Sequence, residues 1–73
     1  MENKTRIEKD IVMFKDNVNK LNIIKLNDKQ DSIVQLAKQY YEDSIYYHKK
    51  EDYFTAFGCI NYAHGLLDAI IKF

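Results

Sequence analysis

The stretch YFTAFGCINYAHGLLDAIIKF, from Tyr53 to Phe73, decides the fold. It holds no proline, and its only acidic or basic residues are Asp68 and Lys72. At 100° per residue it makes a helix with three apolar sides. One side holds Tyr53, Ala56, Phe57, Ile60, Ala63, Leu67 and Ile71. A second holds Gly58, Asn61, Tyr62, Gly65 and Ala69. Cys59, Leu66 and Ile70 fill a third. A helix that is apolar nearly all round is expected to be covered nearly all round.

Upstream, Lys50-Glu51-Asp52 is too short to be anything but a turn, and the Asp52 carboxylate suits the N-cap of the last helix. A connection of that length folds the preceding helix back antiparallel. That helix is expected over about residues 29–50, with Ile33, Leu36, Ala37, Tyr40, Ser44 and Tyr47 on its apolar stripe. Asn27 or Asp28 is its expected N-cap. Lys49 and Lys50 suit the carbonyl end of the helix dipole. Ahead of it, Ile7, Ile11, Phe14, Val18 and Leu21 step by 4, 3, 4 and 3, the seam of a first helix over about residues 3–21. Residues 22–28 connect the two. Ile23, Ile24 and Leu26 are expected to lie across the core as a lid. The reading is one all-α domain over residues 1–73: a three-helix bundle built on a long antiparallel hairpin, with the first helix packed across it.

The composition narrows the function. A chain of 73 residues holds one domain. A single core of that size seldom supplies more than about 3–5 kcal/mol. Cys59 is the only cysteine, so no internal disulfide exists to help. No Cys/His cluster has metal-ligand spacing, so neither metal nor cofactor is expected. Association with a second copy, a dimer or other homo-oligomer, or with another protein is the remaining aid. Eleven basic residues balance eleven acidic ones, which leaves no field directed at nucleic acid or anionic lipid. Residues 53–73 are long enough to cross a bilayer, but Asn61, His64 and Asp68 lie in their middle. Asp alone costs about 2.5–3.5 kcal/mol at a helix centre. No membrane span is expected. Met1-Glu2-Asn3-Lys4 opens on no signal-peptide core, so the expected setting is cytoplasmic.

Residues 52–69, from Asp52-Tyr53-Phe54-Thr55-Ala56-Phe57-Gly58 through Tyr62-Ala63-His64-Gly65-Leu66-Leu67-Asp68-Ala69, resemble the signature of a small archaeal family, the domain of unknown function numbered three hundred and fifty-seven. Ala37-Lys38-Gln39-Tyr40-Tyr41-Glu42-Asp43-Ser44 is similar to its second helix. The likeness is good over residues 29–72 and extends to the first helix only in length and pattern. Leu66 stands where that family often has Trp, and Ile70 where Gly often follows the Ala. The resemblance implies a compact all-α fold and an archaeal, cytoplasmic setting. It carries no assigned activity and no catalytic residues. Lys50-Glu51-Asp52-Tyr53-Phe54-Thr55-Ala56 is more loosely similar to a tetratricopeptide-like helix pair, or to a microtubule-trafficking-type three-helix domain. A solenoid, though, needs about three repeats and this chain has one.

The polar residues of the last helix raise a chemical alternative. His64 and Asp68 are one turn apart with Asn61 beside them, so Asp68 could orient His64 as a base. The plainer reading is a structural network joining helices, since buried polar groups need partners in any case. Cys59 lies about 140° round the helix from His64, too far for a dyad. Glu42, Asp43, His48 and His64 form no recognised ligand motif. Six tyrosines suit packing or a protein interface better than base stacking, because the lysines near them are matched by acids. The Arg-before-His pattern of small helical toxin ribonucleases is absent, and Arg6 is the sole arginine. The sequence therefore favours a non-enzymatic protein-interaction or assembly module, with Tyr62, Gly65, Leu66, Ile70 and Phe73 as its interface. The alternative is a small-ligand or catalytic site at Asn61, His64 and Asp68.

Overall fold

The computed structural model of the chain describes residues 2–21 and 25–71. Three helices follow one another: α1 (Glu2–Leu21), α2 (Asp28–Lys49) and α3 (Tyr53–Ile71). They form a bundle about 38 Å long and 16 Å across. The helix 2–helix 3 hairpin is the larger contact, and α1 lies on it mainly through α3.

Each boundary has a local cause. Asn27 caps α2 in a reciprocal box: its side chain accepts from the Gln30 amide at 2.8 Å, and the Gln30 side chain accepts from the Asn27 amide at 3.0 Å. Asp28 and Asp31 sit in the first turn, and His48 and Lys49 in the last, as the helix dipole favours. At the other end, the Asp52 amide donates to the Tyr47 carbonyl at 2.9 Å and the Glu51 amide to the His48 carbonyl at 3.0 Å. This paired closure needs a left-handed residue, and Glu51 supplies it with φ 63°. Asp52 then starts α3, its carboxylate accepting from the Thr55 amide at 3.2 Å. One residue thus closes α2 and opens α3, so the hairpin has no slack.

The core follows a seven-residue repeat. Ala56, Ile60, Ala63, Leu67 and Ile70 of α3 are buried, stepping 4, 3, 4 and 3. Ile7, Phe14 and Leu21 of α1 recur every seven residues, as do Ala37 and Ser44 of α2, and all are buried. This is the spacing of helices that wind slightly around one another. The fully buried residues of α2 and α3 include four small ones, Ala37, Ser44, Ala56 and Ala63. Ser44 is fully buried, and its hydroxyl donates to the Tyr41 carbonyl at 2.6 Å. Ile11, Val18, Leu26, Ile33, Tyr40, Tyr41 and Leu66 pack around the core.

The seam of α1 matches its expected positions throughout. The expected face of α3 is buried at Ala56, Ile60, Ala63 and Leu67 and departs only in the last turn, while that of α2 is turned at Leu36. Leu36 is 41% exposed while Val34 is buried, and Ile71 is 40% exposed while Ile70 is buried. A straight 3.6-residue stripe selects 67 and 71, whereas a wound 3.5-residue seam selects 67 and 70. Ile70 therefore sits in the core and not on the expected interface. Leu26 packs as expected of the lid, while Ile23 and Ile24 lie outside the described residues.

Asp52→Ala should lower stability by about 1 kcal/mol through loss of the cap. Glu51→Gly should raise it by about 0.5–1 kcal/mol by relieving the left-handed residue. Urea unfolding followed by circular dichroism measures both, and equal midpoints for the two variants would contradict this account of the turn.

Candidate functional site: the inner polar latch and the outer face of α3

The polar groups of α3 tie helices together. The His64 ring Nε2 lies 2.7 Å from the backbone carbonyl of Asp10, joining α3 to α1. A carbonyl only accepts, so Nε2 carries the proton and donates it. The same ring meets Phe14 edge-on, with centroids 5.7 Å apart, and Phe14 stacks on Tyr41 of α2 at 4.8 Å. Phe14 is thus held between α2 and α3, and His64 holds the backbone that carries it. Two further contacts fix the start of α1. Arg6 lies over the Phe57 ring at 5.3 Å, and Glu8 approaches His48 Nε2 at 3.1 Å. The Glu8 approach is an ion-pair distance without hydrogen-bond alignment, because His48 Nε2 is buried with no hydrogen-bond partner. His48 also meets Tyr53 at 5.5 Å.

The residues of the expected polar cluster differ in exposure. Asn61 is exposed, whereas His64 and Asp68 are half-buried. Three of the surface clefts are lined entirely by described residues other than His64. One lies on the outer side of α1, around Val12 and Met13, with Glu8, Lys9 and Asp16 at its edge. A second lies between α1 and α2, over Phe14 and Tyr41. The third, of about 500 Å³, is floored by Phe54, Phe57, Gly58, Cys59 and Tyr62, against Tyr40. Among the described residues no three His, Cys, Asp or Glu side chains converge as metal ligands. Burial, and next the carboxylates of Asp43 and Asp52, push the Cys59 thiol above its ordinary value. A thiol shifted that way is a poor nucleophile near neutrality.

The expected interface residues separate. Tyr62 is 53% exposed and packs edge-on to Tyr40 at 4.7 Å. Gly65 is exposed, Leu66 is half-buried against the core, and Phe73 lies outside the described residues. Sequence reasoning omitted Phe54, which is 90% exposed. Its position just inside the cap reads as core, but it lies one turn before Gly58 on the side away from Ala56 and Ile60. The signal was that register. Phe54, Gly58, Asn61, Tyr62, Gly65 and Ala69 are all exposed and fall within an arc of about 100°, nearly opposite the core seam.

Fold and site together define a small all-α bundle with a half-buried polar latch and an outer helix face that is uncharged among the described residues. The sequence pattern of the family described as protein of unknown function (DUF357) matches residues 9–73, and the chain belongs to that family. No curated protein matches it.

His64→Ala should cost about 1–3 kcal/mol, the sum of one hydrogen bond and one edge-on ring contact. Phe14→Ala should cost about 3–5 kcal/mol and release α1, read as lost protection of α1 amides in hydrogen exchange. Protection surviving in Phe14→Ala would show that α1 is held elsewhere. Alkylation of Cys59 should reach half its maximal rate at a higher pH than a free cysteine peptide, because its thiolate is disfavoured in the folded chain. The sign for stability is the same: the contribution of the neutral thiol is complete below the unfolded thiol's ordinary value and is lost as pH rises through the raised one.

Proposed function

We propose that this domain is a non-enzymatic protein-interaction module that docks through the outer face of α3. The observation that carries the reading is a contrast in charge. The exposed positions of α1 and α2 include Lys4, Glu8, Lys9, Lys15, Asp16, Lys20, Asp28, Lys29, Asp31, Glu42 and Lys49. The exposed positions of α3 are Phe54, Gly58, Asn61, Tyr62, Gly65, Ala69 and Ile71, with no charge among them. Charge depletion with aromatic enrichment marks the centre of protein interfaces. An exposed apolar patch on an otherwise charged surface marks a contact site.

The lack of a basic residue among the described residues of that face speaks against nucleic acid, whose phosphates demand one. The cytoplasmic setting belongs to the same proposal. α3 has the length and composition of a membrane span, with mean hydropathy 1.2 and 28% of its window buried inside the fold. In a bilayer, however, Asn61, His64 and Asp68 would all need partners at its centre. An occupied outer face also answers the small size of the core, since a bound partner stabilises the folded chain by mass action.

A photo-crosslinking residue in place of Phe54, expressed in cells, should give discrete protein adducts identifiable by mass spectrometry. The same residue in place of Lys15 should not. Adducts absent at Phe54, or equally abundant at Lys15, would overturn the reading.

A further inference from the structure

We infer that the occupant of this face is a second copy of the same chain, with the two α3 helices antiparallel about a two-fold axis between Asn61 and Tyr62. The inference rests on the reading of the outer face as a docking surface and adds the identity and register of the partner.

Three observations carry it. The first is self-complementarity. About that axis Phe54 lies level with Ala69 of the second copy, Gly58 with Gly65, and Asn61 with Tyr62. The largest exposed side chain meets one of the smallest, and the two glycines meet each other. A two-fold interface requires this: the same patch must serve as both halves. The second is charge. A face without charged groups needs no opposite charge on its partner and matches itself at no electrostatic cost. The third is area. Phe54 at 90% exposure and Tyr62 at 53% offer about 300 Å² per copy. With the exposed backbone along Gly58 and Gly65 and the Asn61 and Ala69 side chains, a pair would cover about 1,000 Å² in total. That is the low end of specific interfaces, the range of weak, reversible pairs.

The glycines fit this arrangement and not the isolated chain. A Cβ at Gly58 or at Gly65 would meet nothing within 4 Å, and neither glycine has a positive φ. Nothing inside the fold asks for glycine at these helix-interior positions, where alanine is the better helix former. A second helix approaching closely does ask for it.

Sedimentation equilibrium of the purified chain from about 5 to 500 µM tests the pairing. The expected mass rises from 8.7 kDa toward twice that value within this range. A Cβ at exposed Gly65 meets nothing within 4 Å, so Gly65→Leu should fold with an unchanged or higher Tm at concentrations where the parent chain is monomeric, and should shift the midpoint upward at least tenfold. Register is read by disulfide trapping with oxidised glutathione in a Cys59→Ser background. Asn61→Cys should give a covalent dimer, because the two positions flank the axis. Phe54→Cys should not, because its two copies stand about 22 Å apart along the helices. Trapping at both positions would indicate a parallel pair and overturn the register. A dimer unaffected by Gly65→Leu would place the contact on another face and overturn the inference. A monomer throughout that range overturns self-pairing. If Phe54 adducts to a different protein still form in cells, the docking reading survives that result; if none form, both fall.

Discussion

The hairpin contact of α2 with α3, helices whose buried residues include Ala37, Ser44, Ala56 and Ala63, is the constraint on which the rest of this structure depends. All four are fully buried, and none brings much volume. Small side chains lose almost no rotamer entropy on burial, so this contact forms at low conformational cost. It also contributes little apolar burial, and the large residues must come from elsewhere. α3 adds Ile60, Leu67 and Ile70 between its alanines. α1 adds Ile7, Phe14 and Leu21 at seven-residue intervals. The tight hairpin is a platform, and α1 is the helix that completes the core over it.

That division explains the polar contacts. α2 and α3 are joined by a turn with no free residue, so they need little further fixing. α1 reaches them through a connector and must be positioned by contacts of its own. These are the Phe14 ring between Tyr41 and His64, the His64 bond to the Asp10 carbonyl, and the Arg6 and Glu8 contacts at the other end. His64 is half-buried, and its Nε2 is engaged in holding α1. The Asp10 carbonyl lies one helical turn before Phe14, and locking it fixes the height at which that ring enters the core.

Much of this was legible in the residues. The 4-3-4-3 spacing from Ile7 to Leu21 placed α1 and its buried face correctly, because an amphipathic helix on a surface declares one side. The turn at Lys50-Glu51-Asp52 was legible because Asp52 has both the position and the side chain for a cap. The last turn of α3 was not, although Ala56, Ile60, Ala63 and Leu67 were on the expected face. With apolar residues on three sides, Ile70 and Ile71 compete equally, and only the supercoil imposed by a neighbour chooses Ile70. Leu36 and Val34 present the same ambiguity on α2. Asn61 was grouped with His64 because both are polar and near in angle. The 60° between them suffices to place one in solvent and the other against α1. Phe54 escaped notice because an aromatic beside a cap reads as core until the opposite face is known to be filled.

The two faces of α3 answer to different physical demands. The inner seam satisfies the bundle completely: Ala56, Ile60, Ala63 and Leu67 have no accessible surface left. Nothing in the fold then requires the outer face to be apolar, and lysine or glutamate at Phe54, Gly58 or Gly65 would improve solubility and helix propensity together. The chain instead keeps an exposed phenylalanine and two helix-interior glycines there, features that disfavour the isolated helix. Features that weaken the solitary fold without straining it point to a state in which the fold is not solitary. In that state the outer face would supply the burial that a core of three short helices is too small to provide alone.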